Sequence, residues 1–220
     1  MQKLDYIQLD TGENPGAAVI WLHGLGASGH DFEPVVPELG LPQDASVRFI
    51  FPHAPDLPVT INGGIRMPAW YDIKSLELGR TVDKDQLMAS ADSVAALVEQ
   101  EIERGVKPER IVIAGFSQGG AVAYELGLSY PKRLAGILAL STYFATADSV
   151  TCSEANRDIP ISVFHGTHDP MVPEALGQDS VAKLQDMGYS VEYETYPMEH
   201  AVCLEEIHAI GRFLRDVLAL

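Results

Sequence analysis

At 220 residues, with 46% hydrophobic and 21% charged side chains, the chain has ordinary globular usage and is short enough to close around one core. A formal net charge of −16 excludes a phosphate backbone as partner, since that needs clustered Lys and Arg, and it sets the chain against anionic membrane surfaces as well. No apolar run approaches the roughly 18 residues of a membrane span, and the opening MQKLDYIQLD has no basic start followed by an apolar core.

Taken in chain order, the first apolar run is AAVIWL, residues 17–22, followed by the glycine-rich HGLGAS and a second run, VRFIF, at 47–51. Residues 53–80 are rich in Pro and Gly, carry Trp70 and Tyr71, and show no periodicity, so the expectation is a long irregular loop packed near a site. From 83 to 104, Leu87, Ala91, Val94, Val98 and Ile102 recur on one helical face. Asp92, Glu99, Glu101 and Glu103 fall off that face, and Gly105 and Pro108 mark the stop. Runs at 111–115, 134–140, 161–166 and 190–196 then alternate with helical patterns at 119–129, 173–187 and 204–218. Several of the runs are apolar on both faces, as strands covered on each side must be. The pattern predicts an α/β fold with a mostly parallel central sheet flanked by helices. No repeat, linker or low-complexity tract divides it, so residues 1–220 are expected to form a single domain.

The stretch GFSQG, at the point where the 111–115 strand becomes a helix, is a G-x-S-x-G nucleophile elbow in the context that motif requires. Its glycines make room for neighbouring backbone while the turn lifts the Ser117 hydroxyl above the carboxyl end of the sheet. The competing reading is a glycine-rich turn with an incidental serine. A serine is a weak nucleophile without a base and an orienting acid, which in this motif follow in the order Ser, Asp, His. Asp169, after the 161–166 strand, and His200, between the last strand and the last helix, occupy those places. Oxyanion donors would be the backbone N–H of Gln118 and one from the early loop, Leu25. Asp72, Asp85 and Asp148 do not follow a strand at the required point. His165 and His168 lack spaced partners for a metal, His23 reads as a loop-shaping residue, and Cys203 as a small packed one. No metal or cofactor is expected. Cys152 and Cys203 form no disulfide framework, which fits a reduced, cytoplasmic setting.

With these residues in place, the motifs LHGLGASGHDF, FPHAP, MPAWYD, GFSQGGAVAYEL, LALSTY, HGTHDPMVP and MEHAVCLEEI together resemble the carboxylesterase and acyl-protein thioesterase family of α/β-hydrolases. The resemblance implies a triad of Ser117, Asp169 and His200 with Leu25 and Gln118 as the oxyanion pair. It also implies an acyl channel built by Met67, Trp70, Met171 and Val172. The short interval between Leu140 and Ile161 leaves no room for a large cap domain. The expected activity is a serine carboxylesterase acting on short to medium acyl esters through an acyl-enzyme. Alternatives are acyl-protein thioesterase or lysophospholipase activity, peptidase or lactone hydrolysis on the same machinery, and, from a different class, a non-catalytic binding module. The partner would be a small ester or thioester, with no nucleic acid and no integral membrane association. Similar proteins commonly form homodimers, an analogy that no residue pattern here carries.

Overall fold

The computed structural model describes residues 3–76 and 80–220. Its main sheet has seven strands in the order β1-β3-β2-β8-β9-β10-β11. These are β1 (Tyr6–Asp10), β2 (Ala17–Leu22), β3 (Val47–Pro52), β8 (Ile111–Phe116), β9 (Gly136–Leu140), β10 (Ile161–Gly166) and β11 (Val191–Tyr196). Only β1 runs antiparallel to its neighbour; every other pairing is parallel. Such a sheet must be covered on both faces, and the strand side chains sort accordingly. Ala18, Ile20 and Leu22 of β2 face a core shared with helices α1 (Lys84–Glu103), α2 (Gln118–Ser129) and α3 (Glu174–Asp186). Ala17, Val19 and Trp21 face the opposite core, closed by α4 (Leu204–Leu218) and a 3₁₀ segment at Glu33–Leu39.

Three features depart from the sequence reading. The edge strand β1 is absent from it, because YIQLD is short, half-exposed and too polar to stand out. Part of the 53–80 stretch is ordered: β4 (Asp56–Val59) and β5 (Ile65–Pro68) form an antiparallel hairpin, and β6 (Ile73–Ser75) pairs with β7 (Thr81–Val82). Residues 77–79 of that stretch lie outside the described residues. Glu101, read as lying off the apolar face of its helix, is fully buried and bonded to Arg48 (2.9 Å) and Arg104 (2.8 Å). A buried carboxylate is tolerated only with such partners.

Between β9 and β10, residues 141–160 contain one 3₁₀ turn, Glu154–Asn156, and no strand or α-helix. The carboxyl ends of β8, β10 and β11 therefore meet without a cap domain above them.

Candidate active site

Ser117 stands between the last residue of β8 and the first of α2, with φ 54° and ψ −118°. A non-glycine residue in this left-handed region is strained and persists only where its surroundings enforce it. They do so through the backbone: Ser117 N–H donates to Leu140 O (2.8 Å), and its own carbonyl accepts from Gly120 N–H (3.0 Å) and from the Thr142 hydroxyl. The flanking glycines are a matter of space. A Cβ on Gly115 would lie 2.3 Å from Gly119 O, one on Gly119 would lie 2.6 Å from both Leu22 O and His23 O, and one on Gly120 would lie 2.6 Å from the Thr142 side chain.

His200, in the loop between β11 and α4, donates through Nδ1 to Asp169 Oδ2 at 2.6 Å. The other oxygen of Asp169 accepts from the backbone N–H groups of Met171 and Val172, both at 2.8 Å. Burial pushes the Asp169 carboxyl up, but the His200 hydrogen bond and the two amides outweigh it and hold the group below its ordinary value. It is thus an ionised acceptor that fixes one imidazole tautomer. Phe116, the residue before the serine, packs its ring 4.7 Å from that imidazole. His165 supports the acid from behind: fully buried, its Nε2 donates to Val172 O (2.8 Å) and so ties down the turn carrying the two amides.

The other candidate residues are tied together by a buried network. Gln118 Oε1 accepts from Trp70 N–H (2.7 Å), its Nε2 donates to Tyr71 O (2.6 Å), and Trp70 Nε1 donates to His23 O (2.9 Å). His23 accepts from Ala54 N–H (3.0 Å) at Nε2, which leaves Nδ1 as the donor to Gly24 O (2.7 Å). Burial lowers the His23 pKa and keeps the ring neutral in that tautomer. The loop following β2 is anchored again where Gly26 N–H donates to Pro68 O (2.8 Å) at the end of the hairpin. Neither Leu25 N–H nor Gln118 N–H makes a backbone hydrogen bond among the described residues, so both remain available as donors.

Ser117, His200, Leu25 and Gln118 line one cavity of about 280 Å³ together with Met67, Met171 and Val172. Trp70 does not. Its side chain is fully buried, donates to the His23 carbonyl and lies tilted 5.2 Å from the His23 ring, so it braces the loop and does not reach this cavity. The sequence reading passed over Arg80 and Tyr143, which also line the cavity. Arg80 lies in the aperiodic stretch, and Tyr143 is one aromatic among several. The competing acids are spent elsewhere: Asp72 accepts from the Thr60 N–H and hydroxyl (2.7 Å each), and Asp148 pairs with Lys84. Among the described residues, no group of three or more His, Cys, Asp or Glu side chains is arranged to hold a metal ion.

Comparison with known proteins finds relatives over nearly the whole chain. Acyl-protein thioesterase 1 of Gibberella zeae is 42% identical over 213 residues, covering 92% of this chain and 91% of that protein. The crystal structure of Arabidopsis thaliana SOBER1 superposes with a TM-score of 0.85 at 32% identity, covering 92% of this chain and 99% of the other. Acyl-protein thioesterase 2 of Zea mays gives a TM-score of 0.85 at 26% identity, covering 97% and 99%. The relatives named for thioester cleavage thus weigh more than the generic carboxylesterase expectation. The model of the phospholipase/carboxylesterase family matches residues 9–218, and over that span the chain belongs to this family of α/β-fold serine hydrolases.

Proposed function

We propose that the chain is an acyl-thioester hydrolase of the acyl-protein thioesterase type, with Ser117 as nucleophile, His200 as base and Asp169 as the group that orients it. The observation carrying this reading is that a strained serine elbow and an aspartate-held imidazole open onto the same largely apolar cavity. His200 Nε2 takes the Ser117 proton as the oxygen attacks the thioester carbonyl. The tetrahedral oxyanion draws on the Leu25 and Gln118 N–H groups. Collapse breaks the C–S bond, the imidazolium returns its proton to the thiolate, and water then repeats the sequence to release the acid. Met67, Met171 and Val172 would hold the acyl chain, each buried CH₂ adding about 0.8 kcal/mol. The oxygen ester is the second reading, since the matched family is described as phospholipase/carboxylesterase and the same steps cleave a C–O bond. Residues 1–220 are taken to work as one domain. The two free cysteines suit a reducing cytoplasm.

The test compares an acyl thioester with the oxygen ester of identical acyl chain, using wild type and Ser117→Ala, and adds a fluorophosphonate label. Labelling confined to Ser117, loss of turnover in the alanine variant and a higher kcat/KM for the thioester are expected. Turnover retained without Ser117 removes the mechanism, and a preference for the oxygen ester returns the chain to the carboxylesterase reading.

A further inference from the structure

Beside the catalytic cavity lies a second one, of about 370 Å³, and the two share the walls formed by Arg80 and Tyr143. Two further cations line the second cavity, but each is already paired with an acid there: Lys84 with Asp148, and Lys183 with Asp179 at 2.6 Å. Arg80 makes no ion pair among the described residues, although the chain carries 31 acidic side chains against 15 basic ones. Its guanidinium lies 4.9 Å from the centre of the Tyr143 ring and donates to the carbonyl of Met171, two residues from the acid Asp169. These contacts fix the side chain while using only part of its five-donor fork. The Arg80 backbone has φ 58°, a left-handed conformation that a side chain bears at a cost.

A guanidinium that is anchored, makes no ion pair among the described residues and sits at the junction of the catalytic cavity with a neighbouring space is suited to bidentate recognition of an oxyanion. We infer that Arg80 determines specificity by holding a carboxylate or phosphate borne by the ester or thioester while its carbonyl lies at Ser117. The inference builds on the hydrolase reading above. It adds that an anionic substituent is favoured despite the negative charge of the whole molecule. The anion can belong to the acyl part or to the leaving group, and the two positions are separated by experiment.

In the first arm, 4-nitrophenyl hydrogen adipate is compared with 4-nitrophenyl hexanoate. In the second, 3-(hexanoyloxy)propanoate is compared with propyl hexanoate. The quantity read is the ratio of kcat/KM for the anionic ester to that for its neutral counterpart. In Arg80→Gln this ratio should fall by about tenfold or more in the arm that matches the bound geometry, and Arg80→Lys should recover part of it. Added salt should lower the ratio in wild type relative to that in Arg80→Gln, where only repulsion by the net negative charge is left to screen. Because each variant is scored against its own neutral ester, loss of folded protein cancels. Ratios unchanged by Arg80→Gln in both arms overturn the inference. Calorimetric titration of adipate into Ser117→Ala, with and without Arg80→Gln, tests it apart from catalysis. Binding that needs Arg80 supports it even where no ester is turned over, in which case the hydrolase reading alone fails. Binding that ignores Arg80, or no binding, counts against it.

Discussion

Asp169 does more than complete a set of three residue types. One oxygen holds the His200 ring and the other is held by two backbone N–H groups, so the carboxylate is placed before any substrate arrives. Because its pKa is depressed, the stabilisation it gives the folded chain is fully present above its ordinary value of 3.8 and is lost as pH falls through the lower folded value. Asp169→Asn keeps the size but leaves one oxygen acceptor where the carboxylate uses two, one for Nδ1–H and one for the two backbone N–H groups, and the imidazole loses its imposed tautomer. The expected result is a fall in kcat of about 10⁴-fold, the size of the same change in a serine protease triad. Steady-state turnover of a chromogenic ester checks it. A loss below about tenfold would mean that His200 is oriented without the acid. Trp70 shows the same point from the other side: a residue assigned to the acyl channel spends its N–H groups on the Gln118 side chain and the His23 carbonyl.

At the scale of elements, the tightest dependence is between α4 and the 3₁₀ segment Glu33–Leu39. A Cβ on Gly211 would stand 1.8 Å from Leu39 O, and a few residues further Arg215 donates to Gly40 O at 2.8 Å. Backbone cannot yield as a side chain would, so Gly211→Ala should force the helix outward and destabilise the chain by about 1–3 kcal/mol. The midpoint of urea unfolding should drop at unchanged slope. An unchanged midpoint would show that the two elements slide apart without cost. What could be read from sequence follows the same division between local and distant causes. The elbow was legible because its glycines answer to atoms a few residues away and to one neighbouring loop. The strands β8 and β10 were legible because both faces must be apolar. The hairpin was hidden: its strands are four residues long and include Pro58 and Pro68, and it is held by pairing rather than by periodicity. Glu101 was misplaced because its partner Arg48 lies 53 residues away, on β3. No helical pattern announces such a pairing.

For the molecule as a whole, two sources of pH dependence overlap and can be told apart. With 31 acidic and 15 basic side chains, long-range repulsion grows as carboxylates ionise, and dissolved salt screens it. Glu206, in the first turn of α4, behaves differently. It is fully buried and neither carboxyl oxygen has a hydrogen-bond partner among the described residues. Burial therefore pushes it from an ordinary 4.5 up to about 8, against a weaker opposing pull from the Cys203 backbone. Between these two values the folded chain holds a proton that the unfolded chain has released, so stability must fall as pH rises from about 4.5 to about 8 and level off above that. Glu206→Gln mimics the protonated acid and removes the titration. The variant should match wild type near about pH 5 and exceed it near about pH 8 by an amount on the order of a few kcal/mol. Urea unfolding at the two pH values, at low and high salt, separates the causes. Salt should raise stability in both proteins by relieving surface repulsion, yet leave the difference between them intact, because a buried carboxyl is little screened. If added salt abolishes that difference, the pH dependence belongs to the surface charge and Glu206 has no part in it.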